Sequence, residues 1–391
     1  MKIIKSILII VIAVILTTSG EQVQNNNERG KNTFLVSPYL QNPSPDAMTV
    51  MWITSENCHS WIEYGENGVL TQRAESEQDG LVVANTRLNK IRLADLKPNT
   101  RYAYKVLSRE IVDFAPYKVT YGDTIQSEIY SFITPDTCQE HLSVLVLNDI
   151  HNQPSAIDKM LALNNGNEFD FVVLNGDIMN YVTGEAQIIS NVIEPLTKNF
   201  ASEKPFVYVR GNHETRGVFA RNLFNYIDNP GSYFSKLWGP AFFIFLDAGE
   251  DKADDHKEYS GLVAFDRYRE KQAVWLESQL KSVAARNAEF RIVFMHIPHH
   301  YSGDGHGTTH VRELFGPLLN KYNVDLLVSG HTHKYGVYKP DKGVHDFPVI
   351  IGGGSKNGTR TLIKMEINTE ILNVTVLNES GDEVENYTLI R

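Results

Sequence analysis

Cysteine is almost missing from this chain: its 391 residues hold two, Cys58 and Cys138. Neither sits in a C-x-x-C spacing, which excludes a cysteine-built zinc or redox site. In an oxidising compartment the two can form one bridge, closing a loop of about 80 residues; two unrelated thiols are the alternative. Basic charge is short as well. Lys and Arg number 37 against 47 Asp and Glu, a net charge of −10, which argues against the broad basic footprint that nucleic-acid binding needs. Long apolar runs are absent beyond the N-terminus. The first run, residues 7–16, follows Lys2 and Lys5 and precedes Thr17, Thr18, Ser19 and Gly20. That is the layout of a cleaved secretory signal, too short to span a ~30 Å hydrocarbon core comfortably. Residues 1–20 are therefore read as a signal peptide and the protein as exported, periplasmic or secreted, with no stable membrane span after cleavage. An uncleaved anchor is the alternative, and the lack of a cysteine after the run disfavours a lipid anchor.

What is present is a large potential core, 42% hydrophobic and 10% aromatic residues, in a length that suggests two domains. Residues 33–135 read as short strands at 33–37, 49–54, 61–64, 88–93, 102–107 and 129–134, punctuated by turn formers such as Asn42-Pro43, Pro45-Asp46 and Lys97-Pro98-Asn99. That pattern predicts a small β-sandwich. Residues 135–141 read as a linker. From 141 to 391 the pattern changes to buried runs at 142–147, 169–174, 206–209, 242–246, 292–295 and 326–328, with amphipathic helices between several of them. This predicts a layered α/β domain, closed by a tail of alternating strands at 361–390.

The chemistry-bearing residues stand where those buried runs end. The first leads into Asn148-Asp149-Ile150-His151 and the second into Asn175-Gly176-Asp177. The third leads into Arg210-Gly211-Asn212-His213-Glu214, the fifth into His296, and the sixth into Ser329-Gly330-His331-Thr332-His333. Ligand sites of layered α/β folds gather beyond the carboxyl ends of strands, so five distant segments converge on one crevice. Each has a plainer explanation alone: D-x-H as a helix cap followed by a satisfied histidine, G-D as a turn, a lone histidine as core. Together and in this order they describe a site for two metal ions. Imidazole and carboxylate suit Fe, Zn or Mn, divalent or trivalent, and a carboxylate can bridge ions about 3.5–4 Å apart. Glycines 176, 211 and 330 are expected to let the backbone turn sharply beneath the metals.

The segment Leu96-Lys97-Pro98-Asn99-Thr100-Arg101-Tyr102 resembles the L-x-P-x-T-x-Y corner of fibronectin type III domains, whose Tyr hydroxyl bonds back to nearby backbone. The order D-x-H, G-D, G-N-H-(D/E), H, G-H-x-H resembles the calcineurin-like metallophosphoesterase superfamily across residues 142–391. With the sandwich in front, and with Tyr233-Phe234-Ser235 and Trp238-Gly239-Pro240, the chain resembles purple acid phosphatases. The resemblance implies a layered α/β/β/α domain that hydrolyses small phosphate esters. Asp149, His151 and His333 would hold one metal, Asn212, His296 and His331 the other, and Asp177 both. His213 would serve the leaving-group oxygen as general acid. Glu214 would orient His213 or stand as a solvated carboxylate, and Arg216 would meet a phosphate oxygen. His299, His300, Tyr301 and His306, on or beside the Gly-containing stretch 302–307, are candidate substrate contacts.

In one respect the chain departs from purple acid phosphatases. Their first motif lacks the histidine two residues after the aspartate, and a Tyr three residues after the bridging Asp gives the colour. Here His151 is present, the third residue after Asp177 is Asn180, and Tyr181 falls one position late. A colourless enzyme with an ordinary divalent pair is therefore expected. Phosphomonoester hydrolysis is the leading expectation. Phosphodiesters, such as cyclic nucleotides or phospholipid head groups, are the alternative within the enzyme class, and a surface-binding protein with a vestigial metal domain the alternative outside it. The complete ligand set disfavours the last.

Overall fold

The structure, a computed structural model, describes residues 31–136 and 138–391; the expected signal peptide at residues 1–20 lies outside the described residues. Residues Asn32–Arg391 form one compact unit. Its first part is an antiparallel arrangement led by β1 (Phe34–Ser44), β2 (Ala47–Glu66), β3 (Ala84–Leu93), β4 (Arg101–Ala115) and β5 (Tyr130–Ile133). The strands expected at 49–54 and 61–64 are one strand, β2, because no glycine or proline breaks the chain between them. Met48 to Ile53 pair with β3, and past a register shift Cys58 and His59 still do so, while Cys58 to Glu66 pair with β4. Side chains of both halves, including Val50, Trp52, Ile62, Tyr64, Tyr102 and Phe132, share one core. The tyrosine corner forms as expected, with the Lys97 amide donating to Tyr102 Oη at 3.0 Å. Cys58 and Cys138 are not bridged; Cys58 is buried and Cys138 exposed.

The second part is four-layered. One six-stranded sheet contains β6 (Leu142–Leu147), β7 (Phe171–Asn175) and β8 (Phe206–Val209), mutually parallel, then antiparallel β15 (Thr361–Ile367), β16 (Ile371–Asn378) and β17 (Glu383–Ile390). The other contains β9 (Phe234–Trp238), β10 (Ala241–Leu246), β11 (Phe290–Met295), β12 (Leu326–Ser329), β13 (Gly336–Tyr338) and β14 (Val349–Ile351). Their inner faces meet through Val144, Val146, Phe171, Val173, Phe243, Phe245, Phe294 and Val328. Alternation explains why the runs looked wholly apolar: the opposite faces are also buried. The outer face of the first sheet packs under α1 (Pro154–Ala162) and the helical stretch 185–199; that of the second packs under α2 (Phe265–Leu280) and α3 (His306–Leu314).

The strands of the first part are bolted to the second rather than linked loosely. Tyr39 and Met51 join the core beneath the first sheet. Tyr39 Oη donates to the Tyr226 carbonyl at 2.8 Å, Gln41 Nε2 to Phe206 at 3.0 Å, and Tyr104 Oη to Ser202 at 2.7 Å. Buried hydroxyls and amides need partners, and these find theirs across the junction. Among the described residues no helix is long and apolar enough to cross a membrane.

Candidate metal centre

Parallel strands β6, β7, β8, β11 and β12 all end on one side, and their following residues converge as expected. Two groups of side chains able to hold a metal ion result: Asp149, His151, Asp177 and His333, and Asp177, His296 and His331, each with its ligand atoms within 4.8 Å of one another. Asp177 belongs to both. Its Oδ2 lies 3.0 Å from His296 Nε2 on one side and 3.8 Å from His151 Nε2 on the other, while Oδ1 accepts the His213 amide at 3.0 Å. Asp149 divides its oxygens likewise. Oδ2 accepts from Asn148 Nδ2 at 2.6 Å and from the His331 amide at 2.9 Å, leaving Oδ1 at 3.2 Å from His333 Nε2.

The histidines are turned by what their second nitrogen meets. His296 Nδ1 donates to the Asn175 carbonyl at 2.8 Å, His151 Nδ1 to Asn180 Oδ1 at 2.8 Å, and His213 Nδ1 to the Asn180 carbonyl at 3.0 Å. Each bond leaves Nε2 facing the cluster, the usual device for orienting metal-binding imidazoles. Asn180, which no sequence motif marked, therefore serves two rings. Asn212 Oδ1 sits 3.0 Å from His331 Nδ1.

A cation fits this donor set. Asp149 Oδ1 and His296 Nε2 are fully buried and make no well-aligned hydrogen bond, although His333 Nε2 and Asp177 Oδ2 stand 3.2 and 3.0 Å from them. A cation between these atoms would satisfy buried polar groups that are otherwise poorly paired. The field agrees. Burial opposes charging His296, but the Asp177 and Asp149 carboxylates outweigh it and hold its pKa up at about 10. Burial and the neighbouring His296 push His331 down to about 4. Burial also raises Asp149, yet His151, His296 and His333 pull it below the usual carboxylate range. The carboxylates thus draw positive charge to a place where the rings cannot all accept it.

Backbone shape supports the crowding. Asp149, His151, Asp177, His331 and His333 all have φ between 50° and 72°, a region uncommon for non-glycine residues; five in one cluster mark a backbone that its surroundings hold in place. Gly176 shares that conformation, with φ 84°. Gly211 and Gly330 do not; they are needed because a Cβ would strike the carboxylates of Asp177 and Asp149. Close approach, not a turn, explains these two.

Several expectations for the rim change. Glu214 neither orients His213 nor faces solvent. It is fully buried and accepts the amides of Asp177 (3.0 Å), Met179 (2.8 Å) and Gly211 (2.8 Å), tying two ligand loops together. Burial, then Asp177, pushes its pKa up to about 7. Arg216 is held bidentately by buried Glu250, at 2.8 and 2.9 Å, rather than standing open for phosphate. Glu250, unmarked in sequence, also accepts from Thr215 and Tyr259. His299 is fully buried against Phe347, and His306 bonds Asp266, so neither lines the cluster. His300 packs between His299 and Tyr301. Tyr301, stacked on Tyr338 at 3.6 Å, does line a cavity of about 370 Å³ with His331, Thr332 and Lys334. Tyr181 is exposed.

Comparison with known proteins agrees with this geometry. Residues 142–335 match the family of calcineurin-like phosphoesterases and residues 36–134 the N-terminal domain of purple acid phosphatases. In Arabidopsis thaliana, the protein named probable purple acid phosphatase 20 is 23% identical over 363 residues, 84% of this chain and 76% of that protein. Purple acid phosphatase 21 of the same plant is 23% identical over 302 residues, 75% of this chain and 64% of its own length. Among solved structures, a purple acid phosphatase from yellow lupin (Lupinus luteus) seeds superposes with a TM-score of 0.69 at 17% identity, over 90% of this chain and 74% of the other. PhoD superposes with a TM-score of 0.65 at 12% identity, over 92% and 89%. The chain belongs to the calcineurin-like phosphoesterases, hydrolases of phosphate esters, and carries before that domain the N-terminal domain of purple acid phosphatases.

Proposed function

We propose that this protein is an exported phosphomonoesterase with a dinuclear metal centre of Fe, Zn or Mn. Asp149, His151 and His333 hold one ion, Asn212, His296 and His331 the other, and Asp177 is shared. The observation that carries this reading is Asp177 Oδ2, which faces His296 on one side and His151 on the other. A bound metal pair supplies Lewis acidity towards the phosphoryl oxygens and a water acidified for attack. The chain's own residues do the rest. Asp149 and Asp177 keep one oxygen each for the centre because the other is satisfied by local donors. His213, its Nδ1 fixed on Asn180, presents Nε2 4.0 Å from Asp177 Oδ2, where it can pass a proton to the leaving oxygen.

Tyr301, Thr332 and Lys334 support a substrate side chain lying beside His331. Asn180, bonded to His151 in the place a colour-giving tyrosine would need, supports a colourless pair. The basic and apolar leader at residues 1–20 supports export. The test is hydrolysis of p-nitrophenyl phosphate against bis-p-nitrophenyl phosphate, before and after chelation and with Mn, Zn, Fe or Mg restored. Metal-restored turnover that favours the monoester is expected. Preference for the diester would reassign the substrate, and turnover unaffected by chelation would remove the metal centre from the reaction.

A further inference from the structure

Outside the centre, a third group of side chains has metal-ligand geometry: Asp266, His306 and His310, with ligand atoms within 4.8 Å of one another. It shares no residue with the centre. His306 and His310 are four apart on α3, the spacing that puts two rings on one helix face, with ring centroids 5.6 Å apart. Asp266, in the first turn of α2, faces them: its Oδ1 is 2.7 Å from His306 Nε2 and 3.3 Å from His310 Nδ1. Around a tetrahedral zinc, with bonds of about 2.0–2.1 Å, neighbouring ligand atoms stand about 3.3 Å apart, so small adjustments suffice.

The carboxylate is positioned from behind. Buried Arg269 donates to Asp266 Oδ1 at 2.9 Å and is itself fixed on the carbonyls of Ala248 and Glu250. Its charge opposes a cation, and its Nη1 also lies 3.5 Å from His310 Nδ1; Asp254 adds a second carboxylate to the neighbourhood, while Asp247 is paired with Arg210 at 2.7 Å. Asp254 also caps α2, accepting the amides of Phe265 and Asp266 at 2.8 and 3.1 Å. His306 is 40% exposed, so a cation can enter and water can complete its coordination.

We propose that Asp266, His306 and His310 form an auxiliary mononuclear site for a zinc-class cation. Two imidazole nitrogens and one carboxylate oxygen suit zinc, cobalt or nickel rather than calcium or magnesium. A cation there joins the first turn of α3 to α2 directly after the segment that carries Tyr301, and so braces that wall of the centre.

The full chain, stripped by chelation, is titrated with zinc and its tightly retained metal counted. The wild type is expected to hold about one equivalent more than His306→Ala/His310→Ala, whatever the dinuclear centre retains. Asp177→Asn is expected to lose metal from the centre and keep this extra equivalent, so failure of the centre is distinguishable from failure of this site. Single His306→Ala, at an exposed position, gives the same comparison if the double variant does not fold. Asp266→Asn is expected to weaken the extra equivalent at least roughly tenfold. Equal zinc content in the wild type and folded His306→Ala would overturn the proposal.

Discussion

Asp79 and Asp177 share a left-handed backbone, with φ of 52° and 53°, yet they do opposite things. Asp79 is exposed beside Gly80 in a two-residue hairpin turn of the N-terminal domain, where an aspartate before glycine adopts this shape readily. The other non-glycine residues with positive φ in that domain are Asn42, Asn67, Asn85, Asp95 and Asn99, all types that tolerate the region. In the α/β domain the same conformation falls on His151, His331 and His333 as well as Asp149 and Asp177. There the backbone is held by bonds across strand ends, such as the His331 amide on Asp149 and the Asp177 amide on Glu214. The second domain too has left-handed residues away from the cluster, among them Asn165, Ser260 and Asn323, but among the described residues only in that domain does this backbone also bring candidate metal-binding side chains together.

The comparison breaks most visibly at Asp177. Asp177→Asn should lower metal content and cut turnover by more than the roughly 10²–10⁴-fold typical of losing a general acid, read by metal analysis and p-nitrophenyl phosphate hydrolysis. Normal stoichiometry and rate would remove Asp177 from the centre. His213→Ala should keep its metals and lose roughly 10²–10⁴-fold in turnover. That loss should shrink for good leaving groups such as nitrophenolate; equal losses across a leaving-group series would argue against proton donation.

A smaller effect concerns His299. Burial first, then His300 and His345, push its pKa down to about 3. The unfolded chain therefore binds a proton the folded chain refuses, so this histidine's contribution is complete above about pH 6.5 and declines as pH falls towards 3. His299→Phe, which can keep the stack on Phe347, should gain about 2 kcal/mol relative to wild type between pH 7 and pH 5. Parallel stability profiles in denaturant would contradict this. Smallest of all, Asp79→Asn should shift stability by no more than about 0.5 kcal/mol and leave turnover unchanged. A large loss there would erase the distinction between the two uses of the same backbone.

The residues that cluster at the strand ends were legible because chemistry sits at the ends of apolar runs, and run ends can be read locally. The layered fold was legible for the same reason, since strands buried on both faces lose their alternation. What stayed hidden depends on partners far apart in sequence. Nothing near Arg216 announces Glu250, and nothing near Asn148 announces the Gly353 carbonyl it meets at 2.9 Å. Glu214 looked like a helper of its neighbour His213 because sequence shows adjacency; burial turned it towards three amides instead. Cys58 and Cys138 looked able to pair, but one is buried in a strand and the other exposed past the last one. In the sequence Asn180 stands out only as a residue that is not a tyrosine, although its two bonds set both His151 and His213.

The central claim is that Asp177 sits between two metal ions. Anomalous diffraction from crystals soaked in manganese or zinc tests it most directly. Two peaks about 3.5–4 Å apart, one on each side of the Asp177 carboxylate, with His151 and His333 at one and His296 and His331 at the other, are predicted. A single peak, or two that do not share Asp177, would contradict the account.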